Sequence, residues 1–360
     1  MILLSARASA VTLRFARPLR TAQGVFAERQ SVILELRDGD GVAGYGEAAP
    51  WPGFGTETAG ASLDVLQRAC ELLRGADLEP AEWTTNFAMH FAATPAARGA
   101  LDGALWDLAA RRSHRPLAIH LAERRGVPGA ASLQRVSVSA LLLESEPDAL
   151  RLEARRARDA GHRAAKLKLG SPLLAEDVAR ARAAREGLGS QVALRGDANG
   201  AWTEREALEA LAALAPFDFA YVEQPLPADA FEALARLRRA SPVRIAADES
   251  AAAESAAALV IDSGAVDVVV LKPGLLGGPA RALGMAARAR RAGCEVVFTH
   301  AFESAVGARH ALHCAAAWGD AAAVHGLVTE GLFLNDIGAA VGCSSGTAWI
   351  SGAPGIGVLS

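Results

Sequence analysis

Six charged residues in this chain stand at intervals that chemistry can use: Lys166, Lys168, Asp197, Glu223, Asp248 and Lys272. Each closes a short apolar run, and from Lys168 onward the intervals are 29, 26, 25 and 24 residues. Each interval is the length of one strand–helix repeat. If the repeats form a barrel, their strand ends converge on one mouth. Three carboxylates would then lie side by side with lysines on both flanks. Neighbouring carboxylates repel, and their desolvation is expensive unless a cation neutralises them. Oxygen-only ligands select Mg²⁺, with Mn²⁺ as the other choice, over zinc. Lys166 and Lys168, two apart on a strand, face one way, and a partly desolvated lysine beside another cation suits a base. Lys272 follows Val268 and Val270 on one pleat, from the far side of the ring. Such a set fits α-proton abstraction from a carboxylate: the metal holds the carboxylate while a lysine takes the proton. Asn199 and Glu249, beside the ligands, read as supporting groups. Any one of these residues alone would be an ordinary strand-end charge; the ordered set points to chemistry.

The elements that must position them follow from the pattern. Apolar β segments at Arg135–Leu142, Ala164–Leu169, Val192–Asp197, Phe219–Glu223, Val243–Asp248, Val266–Lys272 and Glu295–Thr299 alternate with Ala- and Arg-rich helical stretches. With an eighth strand at Val324–Val328, this predicts an α/β fold, a closed (β/α)₈-type barrel. An open doubly wound sheet is the competing arrangement, but Gly274 to Gly278 does not fit a dinucleotide fingerprint. Ahead of the barrel, Gln30 to Arg37 is β-rich and Asp38 to Gly41 is a hairpin-type turn. Residues 57–75 and 95–112 have helical spacing, with Leu101, Leu105 and Leu108 on one face and Pro95 in a first turn. The expected organisation is an α+β capping domain over 1–128, a barrel over 129–328, and a C-terminal segment, 329–360, that packs back on the capping domain.

The 360 residues are 51% hydrophobic and 21% charged, the balance of a globular protein. A net charge of −3 and a pI near 6.3 leave no basic face for nucleic acid. Cys70, Cys294, Cys314 and Cys343 lack the paired spacing of disulfide frameworks or zinc knuckles. The N-terminal apolar run is too short for a signal peptide and no later run reaches membrane-spanning length, so the expected location is the cytoplasm. Nothing in the pattern sets an oligomeric state. His310 and His313 read as packed or surface residues of a helix.

The motifs resemble a known superfamily. Lys166-Leu167-Lys168 resembles the Lys-x-Lys of the muconate-lactonizing branch of the enolase superfamily. Arg195 to Trp202, Val222-Glu223-Gln224-Pro225 and Ala247-Asp248-Glu249-Ser250 resemble its metal-ligand strands, and Leu271-Lys272-Pro273 its opposing lysine. Within that branch, Gly46 to Glu57, Thr299 to Gly307 and His325 to Asp336 resemble o-succinylbenzoate synthases. That resemblance implies a small carboxylate substrate and a syn β-elimination of water from 2-succinyl-6-hydroxy-2,4-cyclohexadiene-1-carboxylate, a step toward menaquinone or phylloquinone. Lys168 would take the α-proton and protonate the leaving hydroxyl. Lys272 would stabilise the enediolate, and Lys166 would tune Lys168. Thr21, Phe54, Thr299, His300 and Ser304 would touch substrate, Arg195 would touch it or support Asp197, and His300 stands where a serine is expected. Trp51 and Phe54 would form an apolar lid. An N-succinylamino-acid racemase shares most of these features, and muconate cycloisomerase matches the capping loop less well. A dipeptide epimerase would carry Asp-x-Asp at the eighth strand, where Gly326 and Val328 stand. A non-catalytic barrel would have lost one or more of the six charges, and a Schiff-base aldolase would not need three carboxylates.

Overall fold

The computed structural model describes residues 2–21, 24–77, 83, 88–125 and 134–357, so the boundary expected at residue 128 lies outside the described residues. Three antiparallel strands come first: β1 (Leu3–Thr21), β2 (Gly24–Asp38) and β3 (Ala43–Ala48). Alternate residues of a strand share a face, and in β2 these are Val32, Leu34 and Leu36, all fully buried. They pack against helices α1 (Ala59–Leu73) and α2 (Pro95–Arg112). Leu101, Leu105 and Leu108 form the buried face of α2, as their spacing predicts. β3 lies so near α2 that a Cβ on Gly46 would run into the Ala100 carbonyl, an approach only glycine permits. A further helix, α3 (Leu117–Arg125), follows.

The remainder is mixed α/β. After β4 (Arg135–Val138) and β5 (Ala140–Leu142), helices and strands alternate: α4 (Pro147–Asp159), β6 (Ala164–Lys168), α5 (Leu174–Leu188), β7 (Ala193–Asp197), α6 (Glu204–Leu214) and β8 (Phe219–Glu223). The alternation continues with α7 (Phe231–Ala240), β9 (Ile245–Ala247), α8 (Glu254–Asp262), β10 (Val268–Leu271), α9 (Pro279–Arg291), β11 (Glu295–Phe298) and α10 (Ala305–Trp318). β5 to β11 form one curled parallel sheet in chain order. Its register sets Lys168 opposite Asp197 and Asp197 opposite Glu223. Tyr221, Ala246, Val268, Val270 and Val297 cluster on its inner face, while a larger apolar layer lies beneath the helices.

The eighth strand, β12, is only Val324–His325. It pairs in parallel with β4 and meets the seventh strand through a bridge from Thr299 to Gly326. It is shorter than expected because the Gly326 carbonyl is taken by the Thr299 hydroxyl and the Thr329 N–H turns to Val341. The C-terminal residues join two smaller sheets: β13 (Thr347–Trp349) pairs with β4 in a sheet of β12, β4 and β13, while the Leu334 N–H bonds Arg14 of β1. The Ile356 N–H bonds Asp107 of α2. No helix among the described residues is long and apolar enough to cross a membrane.

Candidate active site

The six charged residues meet at the carboxyl ends of the parallel strands. Lys168, Asp197 and Glu223 are the last residues of β6, β7 and β8; Asp248 and Lys272 immediately follow β9 and β10. Parallel pairing with one repeat between strands puts them at a common height. Lys166 Nζ lies 2.9 Å from Asp197 Oδ2 and 3.0 Å from Glu223 Oε1. Lys168 Nζ lies 2.7 Å from the same Asp197 oxygen and 2.6 Å from Asn199 Oδ1. Lys272 pairs with Asp248. Lysines thus stand on two sides of the three carboxylates. The side chain of Lys168 is 44% exposed and that of Lys272 only 7%, so the two ammonium groups face different surroundings.

Two left-handed residues shape the ligand loops: Asn199 at φ 45 and Gln224 at φ 41. Asn199 donates from Nδ2 to Glu249 at 2.9 Å, so both expected supporting residues sit behind the carboxylates in one chain of contacts. Gln224, which sequence reasoning had only as part of a motif, is fully buried. Its Oε1 accepts the N–H groups of Asp248 and Ser250, and its Nε2 donates to Leu226 and Ser250. It fixes the backbone that presents Asp248.

The electrostatics follow from burial and pairing. Burial opposes a charged Asp197, but Lys166 and Lys168 outweigh it and hold the carboxyl below its usual range. Burial likewise opposes a charged Lys166, and Asp197 and Glu223 overcome it to raise the ammonium above its usual value. Burial pulls Lys272 down to about 7 against the opposing pull of Glu223. Burial, aided by Asp197, pushes Glu249 up to about 7.

Asp197, Glu223 and Asp248 are all buried and offer only oxygen. Among the described residues no three acidic, histidine or cysteine side chains already stand as a metal-holding group; lysine ammonium groups lie against the carboxylates instead. The donor set nevertheless fits a hard divalent ion, because three buried carboxylates on adjacent strand ends have the charge and ligand type such an ion selects.

The expected substrate contacts divide. Phe54 borders the mouth, with its ring centroid 4.8 Å from Lys272 Nζ. It belongs to an aromatic group in which Trp51 packs on Phe26, Phe54 and Phe302, and Phe15 on Phe302 and Phe333. Thr299 spends its hydroxyl on Gly326, at 2.7 Å. The His300 ring is held near pKa 4 by burial, and its Nδ1 accepts the Phe302 N–H. Both side chains thus have hydrogen-bond partners within the protein. Ser304 is fully buried; its hydroxyl donates to Glu47 and accepts the Val306 N–H to cap α10. Arg195 lies one layer below Asp197, over the Tyr221 ring, and donates to the Val324 carbonyl. Thr21 ends β1, and its side chain lies outside the described residues. His310 and His313 are buried and bonded to backbone, as expected of packed residues.

Sequence reasoning also missed a buried cluster beside the mouth. Glu47 of β3 accepts the N–H groups of Ser304 and Gly307 at the start of α10. Nearby Glu303 is buried and pushed up to about 7 by that burial, with Glu47 adding to the shift and Arg29 opposing it. One signal in the sequence points straight to the mouth. Lysine and arginine together number 37, yet only three are lysines, and all three are Lys166, Lys168 and Lys272. Arginine, always charged, serves everywhere else; the amine whose pKa a protein can tune is confined to this site.

Comparison with known proteins places the chain. Residues 149–359 match the family model described as enolase C-terminal domain-like, and residues 4–121 match the mandelate racemase / muconate lactonizing enzyme N-terminal domain. The chain is 34% identical, over 80% of its length and 80% of the relative's, to a hydrophobic dipeptide epimerase from Roseobacter litoralis. It is 38% identical, over 66% of its length and 68% of the relative's, to an o-succinylbenzoate synthase from Mycolicibacterium smegmatis. A solved dipeptide epimerase from Enterococcus faecalis V583, complexed with Mg and the dipeptide L-Leu-L-Tyr, matches 99% of both chains at 26% identity and a TM-score of 0.87. Epimerases stand beside the synthase among these relatives, so overall similarity does not select the synthase subgroup that the motifs resemble. Both halves of the sequence and the strand-end constellation agree on the coarser statement: the chain belongs to the mandelate racemase / muconate lactonizing enzyme family of the enolase superfamily.

Proposed function

We propose that this chain moves the α-proton of a carboxylate substrate by means of Lys168 and Lys272. The observation that carries this reading is the placement of lysines on two sides of three adjacent carboxylates. Asp197, Glu223 and Asp248 would hold Mg²⁺ or Mn²⁺, which when bound supplies positive charge to the substrate carboxylate. Lys168, the more exposed lysine, takes a proton from one face of the α-carbon; Lys272 gives or takes one on the other. Lys166, between Asp197 and Glu223, stays charged and keeps a positive charge beside Lys168. The Phe54–Trp51 loop sheds water from the mouth. We infer that the parallel strands close as a (β/α)₈ barrel over 129–328, capped by 1–128 and 329–360; the pairings of β12 with β4 and of Thr299 with Gly326 support this.

Two-sided proton transfer is what racemases and epimerases require, and the epimerases among the relatives support the same reading. Gly326 and Val328 offer no carboxylate for a free ammonium group, so the substrate is inferred to be an N-acylated amino acid, such as an N-succinyl one, with an apolar side chain. A second reading, dehydration as an o-succinylbenzoate synthase, is favoured by the 38%-identical relative and by the motifs around Glu47 and Ser304. It needs only one base. The test is a paired assay with Mg²⁺: deuterium exchange and loss of optical rotation in N-succinylamino acids, against loss of the cyclohexadiene chromophore. Exchange with inversion supports the racemase. Fast dehydration with negligible exchange replaces it by the synthase, and silence in both arms rejects both substrate classes.

A further inference from the structure

Arg29 of β2 is a buried arginine with no place in the chemistry above. A buried guanidinium is costly unless it is paired and hydrogen-bonded. Burial lowers its affinity for the proton, and Glu303 and Glu47 offset part of that loss. Its hydrogen bonds join two distant segments: Nη1 donates to the Pro50 carbonyl at 2.5 Å, and Nη2 to Ala49 at 2.5 Å and Ala301 at 3.4 Å. Its flat face lies 4.6 Å from the centroid of Trp51. Trp51 contacts Phe54 at 6.0 Å between centroids, and Phe54 covers the Lys272 ammonium at 4.8 Å. An unbroken line of contacts therefore runs from Arg29 through Trp51 and Phe54 to Lys272.

We propose that Arg29 is a positioning residue that clamps the segment from Ala49 to Phe54 against the loop after the seventh parallel strand, and so fixes the Phe54 ring over Lys272. The fork of the guanidinium is what the task needs: two carbonyls of one segment and one of another are reached by two nitrogens, which a lysine cannot do. The tie between this clamp and proton transfer rests on the function proposed above. The tie between the clamp and Lys272 does not.

Because the protein has only three lysines, amine labelling reads Lys272 directly. Mg²⁺-loaded wild type, Arg29→Lys, Phe54→Ala and the double variant are treated with limiting acetic anhydride, and site-specific rates are read by peptide mass spectrometry. Labelling of Lys272 should be about fivefold faster in Arg29→Lys, the scale set by losing one cation–π contact, with Lys168 unchanged. Phe54→Ala should reproduce the change, and the double variant should not exceed it, since the two residues act in series. If Arg29→Lys does not fold, Trp51→Leu cuts the line one step on and takes its place. An unchanged Lys272 rate in a cooperatively folded variant overturns the proposal. So does a parallel rise at all three lysines, which would mean general loosening, or additive effects in the double variant. A second arm follows deuterium exchange into each enantiomer of N-succinylphenylalanine, where Arg29→Lys should slow the enantiomer served by Lys272 about fivefold more than the other. The expected labelling with no exchange in either enantiomer keeps the clamp and rejects the racemase reading.

Discussion

The Lys168 ammonium lies 2.6 Å from Asn199 Oδ1, and Asn199 reaches it from a left-handed backbone at φ 45. An ammonium held by an amide oxygen on one side and by Asp197 on the other has its direction fixed before substrate arrives, as the proposed base requires. Replacing Lys168 by alanine should lower turnover by about 10²–10⁴-fold, the usual worth of a positioned general base. Melting temperature and Mg²⁺ affinity should stay close to wild type. Substantial remaining turnover would show that Lys168 is not the base.

Glu303 gives a pH-dependent stability. Burial raises its pKa to about 7 from the ordinary 4.5. Folding therefore favours the neutral acid, and its favourable contribution is complete below about 4.5 and lost as pH rises through 7. For Glu303→Gln the stability difference, variant minus wild type, should accordingly grow between pH 5 and pH 8 by on the order of 2–3 kcal/mol. Urea unfolding at the two pH values measures it. A difference that is flat with pH would mean the carboxyl is already ionised in the folded protein.

How much of this was legible beforehand varies with distance in the chain. Lys168, Asp197, Glu223, Asp248 and Lys272 announce themselves because each closes an apolar run one repeat after the last, and the repeat fixes their common height. Arg195 shares the pleat of Asp197, yet its depth in the sheet is invisible until Tyr221 is seen beneath it. The cap at Ser304 is invisible in the sequence because a serine ahead of a helix serves equally as a cap or a ligand contact, and the carboxylate it bonds, Glu47, is 257 residues away. The shortened eighth strand has a similar cause: the Thr299 hydroxyl takes a carbonyl that a longer ladder would use.

Gln224→Leu should be costly for its size. It would leave the Asp248 and Ser250 N–H groups and the Leu226 carbonyl buried without their partner, each worth about 1–3 kcal/mol. Mg²⁺ affinity should fall about 10–100-fold, because the loop presenting Asp248 would lose its support. Isothermal titration and urea unfolding test both halves. Full Mg²⁺ affinity in a folded variant would show that Asp248 needs no such support.

Chelation should abolish activity, and Mg²⁺ or Mn²⁺ should restore it where Zn²⁺ does not, since the donors are all oxygen. Free ion at about 100 times its dissociation constant should add ~2.7 kcal/mol of stability, which Asp197→Asn should largely remove. Activity that survives exhaustive chelation would reject the metal.

The contact between Glu47 and the start of α10 also bears on the order of events at the ribosome. β3 emerges early, yet the N–H groups and hydroxyl that accommodate its buried carboxylate belong to Ser304 and Gly307, 257 and 260 residues later. At 5–20 residues per second that delay is roughly 15–50 s. Throughout it, the N-terminal sheet has a carboxylate without its final partners and a surface without the domain it will rest against. Nascent chains should therefore reach protease resistance at this sheet only after α10 has cleared the exit tunnel, so the sheet is finished long after its own residues have been made.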